Sequence, residues 1–384
     1  MGRIANGVRT MLRDPVERRA YLARLKFLMS GTEGVQAWSL EYRSELTGRF
    51  LVPLERLSPA AEQVIRCEPT CAAGSPLSHL YEQRFGYQLH DTIASTASGA
   101  TLMCATPEPA FFIRESIAWP FESVLAHGLE IPNPNGVEDR FTGPQVVFPT
   151  TRNYYHWLVE ELPLVLRARQ AVPASGLLSF STGITDRHRL VADHLGMQLT
   201  PAPLIVQLDG QVLPGRASDS FFVHPDDLSM LNDLGVSLSA ASQPERASYP
   251  ELLYVSRSRS RRPLADEQQL EAYLSAAGFE VVHLEDTPWI EQIRLFQNAR
   301  VIAGPHGAGL SNLVFARPGT IVIELTVGYM FNRCFEWISH VGGHRYLPIE
   351  ADSQPGVVTP EDLGRAVLTL SEHRINGGPG RLQR

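Results

Sequence analysis

From Tyr249 onward short apolar runs alternate with helical periods, and this alternation restricts the possible folds more than any other feature of the sequence. Leu252-Leu-Tyr-Val255 reads as a buried strand, since four apolar residues in succession suit a strand covered on both faces. An arginine-rich loop follows at residues 256–263. Asp266 then stands at an N-cap position with Gln269 at the capping-box position. Leu270, Tyr273, Leu274 and Ala277 carry helical spacing, and Gly278 suits the C′ position. Residues 279–284 read as a strand. Thr287-Pro288 opens a helix with Pro at N1, continuing through Ile290, Ile293 and Phe296. Residues 300–303 form a short strand, 304–309 a glycine-rich turn, 310–315 a helix-like stretch and 320–325 another strand. Alternation of this kind pairs strands in parallel through right-handed crossovers, which gives an α/β, doubly wound parallel sheet.

The chain has 384 residues, more than a single core commonly serves, so a second domain is expected upstream. The expected organisation is a basic N-terminal helical segment at 1–30, an α/β domain at 31–240 and the Rossmann-like domain at 249–350. A C-terminal helix at 358–373 and a disordered tail at 374–384 complete it. Residues 236–248 read as the linker. Within the first domain, 36–148 shows little periodicity and reads as α/β or mixed. Residues 153–170 form a clear helix with Trp157, Leu158, Leu162, Leu164, Val165 and Leu166 as its apolar part.

Composition removes several classes. The net charge of −7 does not suit a nucleic-acid binder. The four cysteines, Cys67, Cys71, Cys104 and Cys334, are too few for a disulfide framework, and no His or Cys pair completes a zinc pattern with Cys67 and Cys71. No run of 18 apolar residues suggests a membrane span, and no apolar signal region opens the chain. A cytoplasmic location is therefore expected. Residues 1–28 interleave Arg3, Arg9, Arg13, Arg18, Arg19, Arg24 and Lys26 with apolar side chains. This pattern fits either a solvated helix packed on its domain or a helix lying on the inner, anionic membrane face.

Four constellations carry chemistry. The first is Gly304-Pro-His-Gly-Ala-Gly-Leu310, between a strand and a helix. Small residues let a ligand approach the backbone, and the first helical amides attract a phosphate. The alternative is a tight structural turn. The second, Ser256-Arg-Ser-Arg-Ser-Arg-Arg262, follows a neighbouring strand, where arginines can hold a diphosphate by bidentate bonds. Read by itself such a stretch is more often a solvated basic loop. The third is Glu324 at the end of the next strand, either an acceptor for ribose hydroxyls or a salt-bridged acid. The fourth pairs His156 with Glu160, four residues apart on one helix face. A carboxylate-oriented histidine can take a proton from a hydroxyl, or the two can simply hydrogen-bond. No Asp-x-Asp pair occurs, so arginines and amides are left to stabilise a leaving group without a metal.

Several of these segments together resemble glycosyltransferase family 61: His156-Trp-Leu-Val-Glu-Glu-Leu-Pro163, Tyr254-Val-Ser-Arg257, Ala299-Arg-Val-Ile-Ala-Gly-Pro-His-Gly-Ala-Gly-Leu310, Ser311-Asn-Leu-Val-Phe-Ala316 and Pro318-Gly-Thr-Ile-Val-Ile-Glu324. The resemblance runs from about 153 to 324 and is most specific from 300 onward. It implies a GT-B-like fold of two Rossmann-like domains facing a cleft. It also implies an inverting, metal-independent transfer from a nucleotide sugar, typically a UDP-sugar, to a hydroxyl, with no cofactor. Carried over by position, Arg257, His306, Gly307, Ala308, Gly309 and Glu324 bind the donor, supported by Arg261 or Arg262, and His156 lies across the cleft near the acceptor. The family commonly has Asn-Glu where this chain has Asp266-Glu267. The implied partners are the nucleotide sugar and a glycan or lipid-linked acceptor of the kind used by bacterial capsule and surface-polysaccharide enzymes. Two other readings share this architecture: a nucleotide-sugar epimerase, and an inactive glycan-binding scaffold.

Overall fold

A computed structural model describes residues 50–51, 61–67, 84–96, 101–103, 110–112, 136–148, 153–214, 223–326, 333–351 and 359–375. The chain divides into two compact units. The described residues of Met1–Pro69, Glu82–Arg152 and Glu160–Ala217 belong to the first; those of Asn153–Val159 and Ser218–Arg384 belong to the second.

The first unit is a mixed sheet. Its strands are β1 (Phe50–Leu51), β2 (Ala61–Cys67), β3 (Arg84–Ser95), β4 (Thr101–Met103), β5 (Ala110–Phe112), β6 (Asp139–Val147), β7 (Gly176–Phe180), β8 (Leu199–Ala202) and β9 (Ile205–Leu213). They lie in the order β1-β5-β4-β3-β9-β6-β7-β8, with β2 paired to β3. From β9 to β8 the pairing is parallel. The helices α1 (Leu162–Ala171) and α2 (Asp186–Leu195) make the crossovers there. Around β3 the pairing is antiparallel, with β2, β4 and β9. Ala94, Val147, Leu178, Ala202, Val206 and Leu208 form one core cluster. Gln211 is fully buried and satisfied on both sides: it accepts from Thr92 Oγ1 at 2.8 Å and donates to Thr101 Oγ1 at 3.0 Å. Helix α2 begins with a capping box in which His188, not a carboxylate, reaches back to Thr185. Burial, reinforced by the charges of Arg187 and Arg189, lowers the pKa of His188 to about 4.

The second unit contains β10 (Leu252–Val255), β11 (Glu280–Val282), β12 (Val301–Pro305), β13 (Ile321–Thr326) and β14 (Arg345–Glu350), ordered β11-β10-β12-β13-β14 and parallel throughout. Its helices are α3 (Pro225–Ala241), α4 (Glu267–Ala276), α5 (Trp289–Asn298), α6 (Cys334–Val341) and α7 (Pro360–Ile375), with a 3-10 helix at Ala308–Phe315. Side chains alternate across the sheet. Tyr254, Val301, Ala303, Ile321 and Ile323 pack with Leu270, Leu274, Leu363 and Val367 from α4 and α7. Leu253, Val255, Ile302 and Val322 point the other way and are equally buried; on that side α3, α5, α6 and the 3-10 helix pack on one another. The doubly wound sheet expected from the alternation is thus present. A buried clamp holds the end of α3. Arg294 donates to the carbonyls of Ser239 (3.0 Å), Ser242 and Gln243 (3.0 Å) and pairs with Glu291, which also accepts from Tyr249 Oη at 2.8 Å.

Several local expectations are corrected. Asp266 precedes α4 but makes no side-chain cap; it sits at φ +51°, a left-handed conformation Asp tolerates, and turns the chain so that Glu267 faces inward. Residues 236–241, read as linker, are the last turns of α3. Pro288 stands just before α5 and not at its first position. Helix α7 reaches Ile375, two residues into the expected tail. Gly278 does take the left-handed C′ position, at φ +93°. Strand β14 and helix α6 were not foreseen individually. The basic segment 1–30, Cys71, Cys104 and residues 376–384 lie outside the described residues; among those described, no helix is long and apolar enough to cross a membrane.

Candidate functional site

The order β11-β10-β12 means that the chain leaves β10 to one side and returns to β12 on the other. Open parallel sheets bind ligands in the crevice at the carboxyl ends of strands flanking such a reversal. The arginine loop follows β10 and the glycine turn follows β12, so both sequence motifs meet at that crevice. Gly304 is required by the closeness of the strands: a Cβ there would lie 2.8 Å from the Val255 carbonyl oxygen.

Arg257 lies over the glycine turn. Its guanidinium donates to the His306 carbonyl, and a Cβ on Gly307 would meet Arg257 Nε at 2.8 Å and Cζ at 2.9 Å. The glycine therefore makes room for the arginine. Arg257 is itself held by Glu267, which sequence reasoning passed over. This carboxylate accepts from the Arg257 amide at 2.7 Å, the Leu264 amide at 3.0 Å and Tyr254 Oη at 3.2 Å, and is only 2% exposed. It pins both ends of the arginine loop from the first position of α4, where a helix N-terminus favours a negative charge. The Asn-Glu pattern noted in the family was the one signal that could have found it. Burial, then the neighbouring Glu267 charge, holds the Tyr254 hydroxyl well above its ordinary pKa, so it donates as a neutral phenol.

The other arginines are placed differently. Arg259 pairs with Asp286, both exposed. Arg261 and Arg262 are exposed, and among the described residues neither bonds to the glycine turn. The turn continues into the 3-10 helix at Ala308, and the first amides of a helix have no partner within it. Arg257 and the amides of Gly307, Ala308 and Gly309 thus present donors at one edge.

His306 completes that edge. Its Nδ1 bonds Glu324 Oε1 at 2.5 Å, and Tyr346 Oη donates to Glu324 Oε2. The Glu324 side chain is 2% exposed and that of His306 is 21% exposed. The sequence offers Glu324 either as a ribose acceptor or as a salt-bridged acid. In the fold it is buried with both oxygens engaged, and it orients His306. Phe335 of α6 lies against the His306 ring, with centroids 5.0 Å apart. Burial first, and then the charge of Glu324, raises the Tyr346 hydroxyl far above its ordinary pKa. Neither Tyr346 nor Phe335 carried a sequence signal, since both lie beyond the last recognisable motif.

His156 opens a π-helical turn, His156–Glu161, that leads into α1. Such turns often mark functional sites. Bonding from i to i+5 widens the turn, so Glu160 and Glu161 both follow His156 around it. His156, Glu160 and Glu161 are buried, His156 to 5% exposure. Residues Asn153–Val159 belong to the same unit as the glycine turn, where the resemblance implied a position across a cleft. A polar chain docks them there. Trp289 Nε1 donates to Tyr154 Oη at 2.7 Å, Tyr154 Oη donates to Asn312 Oδ1 at 2.6 Å, and Asn312 Nδ2 donates to the Gly309 carbonyl at 3.2 Å. Ring contacts run from His156 to Tyr155 (5.5 Å), Tyr155 to Phe335 (5.9 Å) and Phe335 to His306 (5.0 Å). The two histidines singled out in the sequence are therefore linked through packed aromatic rings. Among the described residues no group of three His, Cys, Asp or Glu side chains could hold a metal ion.

Comparison with known proteins follows the same segment. A search of curated proteins gives no match. Among solved structures, the bacterial iron-containing dodecameric glycosyltransferase TibC from enterotoxigenic E. coli is 10% identical, covering 76% of this chain and 94% of its own, with a TM-score of 0.30. TibC described as a heptosyltransferase in complex with ADP-D-beta-D-heptose is 14% identical over 63% and 75%, with a TM-score of 0.28. A flavo di-iron protein variant from Thermotoga maritima is 10% identical over 76% and 96%, with a TM-score of 0.26. At these scores the likenesses carry no argument about fold or function. The family model Glycosyltransferase 61 matches residues 154–323, from Tyr154 of the docked segment to the residue before Glu324, and so includes His156, Arg257 and the glycine turn. On that match the chain is a glycosyltransferase, with a Glycosyltransferase 61 region at residues 154–323.

Proposed function

We propose that the chain is an inverting, metal-independent glycosyltransferase that moves a sugar from a UDP-sugar to a hydroxyl of a surface or capsular polysaccharide, or of a glycan or lipid-linked precursor. The GT-B arrangement, a cytoplasmic location and peripheral contact with the inner membrane face through residues 1–28 belong to the same proposal. What chiefly supports it is Arg257 laid over Gly307 at the carboxyl edge of a parallel sheet, beside the reversal of strand order. A diphosphate there meets a guanidinium and the amides of Gly307, Ala308 and Gly309, which take up the charge of the leaving group. Exposed Arg261 or Arg262 supplies further positive charge. The acceptor oxygen attacks the anomeric carbon from the face opposite the diphosphate. The new C–O bond forms as the bond to the phosphate oxygen breaks, UDP departs with the electron pair, and the acceptor proton passes to His156, oriented by Glu160.

Calorimetry with UDP, GDP, CMP and NAD, each with and without EDTA, tests this. UDP is expected to bind, and to bind equally with EDTA. Binding of NAD alone, or of no nucleotide, removes the transferase reading; loss of UDP binding in EDTA removes metal independence. His156→Ala is expected to lower turnover by about 10²–10⁴-fold with UDP affinity retained. Unchanged turnover would take His156 out of the base role.

A further inference from the structure

The donor-edge reading leaves a half-buried tyrosine and a buried carboxylate behind His306 without a task. Glu324 is removed from solvent and placed so that one oxygen accepts from His306 Nδ1 and the other accepts from Tyr346 Oη. A carboxylate on Nδ1 keeps that nitrogen protonated and leaves Nε2, the ring's other nitrogen, as the atom the partly exposed ring can present to a ligand. The phenol on the far oxygen drains negative charge from the carboxylate, and so weakens its pull on a proton shared with the imidazole.

We propose that Tyr346 is a positioning residue which, through Glu324, sets how tightly His306 holds its proton and therefore the pH at which His306 Nε2 changes from acceptor to donor at the donor site. Every link is a direct hydrogen bond within one compact unit, and each residue comes from a different place on the sheet: the turn after β12, the end of β13, and β14. The charged and titratable groups around the ring are few among the described residues. Arg257 bonds the His306 carbonyl, and Glu324 bonds the ring. Phe335, on α6, contributes only its apolar face. Cys334 and Glu336 of α6 act on Tyr346, and Arg333 pairs with Glu336. Among the described residues Tyr346 is thus the neutral donor placed to moderate the Glu324 charge from behind.

The sign follows from the geometry. In Tyr346→Phe the Glu324 oxygen loses its donor, the carboxylate becomes more basic, and the His306–Glu324 pair takes up its proton at higher pH. A hydrogen bond to a charged group is worth enough to move this titration upward by about one pH unit. The proposal rests on the donor-edge reading for its function but not for its test. The imidazole of His306 is followed by NMR in histidine-labelled full-length protein without any nucleotide, its signal assigned by its loss in His306→Gln. The expected results are an upward shift in Tyr346→Phe, and no further change when Tyr346→Phe is added to Glu324→Gln, because the coupling passes through that carboxylate. An unchanged titration in Tyr346→Phe, or an equal shift in the Glu324→Gln background, overturns the proposal. A variant that shifts His306 while the wild type binds no nucleotide would leave the relay intact and defeat the transferase reading instead. Where both hold, the limb of the transfer pH profile that His306 sets moves upward by the same amount in Tyr346→Phe.

Discussion

The two units of this chain use strands in different ways. In the second unit every strand is parallel to its neighbours, helices cover both sides, and β12 is buried at all five positions. In the first, β6 begins exposed and is buried only at its end, and β3 runs antiparallel to β9, where Ser95 pairs with Ile205 across more than a hundred intervening residues. A parallel sheet places every strand end on one edge, so residues from three separate strands converge without long loops. This is how Arg257, His306 and Glu324 come together. A mixed sheet sends neighbouring strand ends in opposite directions, and none of the residues forming the glycine-turn edge comes from it. The glycine-turn edge therefore belongs to the second unit, which also takes in the seven residues Asn153–Val159.

Three experiments can break this contrast. The largest effect is expected from Arg294→Met. It removes the cation that caps α3 and leaves the buried Glu291 without its ion partner, at a cost of about 3–5 kcal/mol. Denaturation followed by probes in each unit should show the second unit weakened and the first little changed. Equal losses in both would mean that the units are not stabilised separately. The next effect concerns pH. His188 titrates near 4 in the folded first unit against 6.5 in an unfolded chain. The unfolded state then binds the extra proton, so the contribution is complete above pH 6.5 and is lost as pH falls toward 4. The difference corresponds to about 3 kcal/mol. His188→Gln should flatten that part of the stability profile of the first unit; an unaltered profile would refute the assignment. The smallest is Arg257→Ala. Loss of charge-assisted bonds to a diphosphate should weaken UDP binding by about 10–100-fold, with thermal stability nearly unchanged. Normal UDP affinity would refute the clamp, and a large fall in melting temperature would show that the arginine serves the core.

The same contrast explains what could be read in advance. Buried parallel strands are continuous apolar runs, and Leu252–Val255 was legible to its ends, as was the turn at Gly278. Half-exposed strands of a mixed sheet carry weak signals, and residues 36–148 yielded no elements one by one. The arginine loop and the glycine turn were visible because glycine and arginine stand out in sequence. Glu267, Tyr346 and Phe335 were not, because a carboxylate, a phenol or a phenyl ring acquires a role only from what it faces.

The sequence by itself determined the alternation of strand and helix, hence parallel pairing, and with it the placing of both motifs at carboxyl strand ends. The local periodicities of apolar residues are enough for that. Only the tertiary structure decided that β10 and β12 are neighbours with β11 outside them, that Glu324 is buried behind His306 with Tyr346 at its other oxygen, and that His156 opens a π turn and groups with the glycine-turn unit. These are relations between residues far apart in the chain. They depend on which faces are closed off from water and which polar groups must then find partners, and no local pattern encodes that choice.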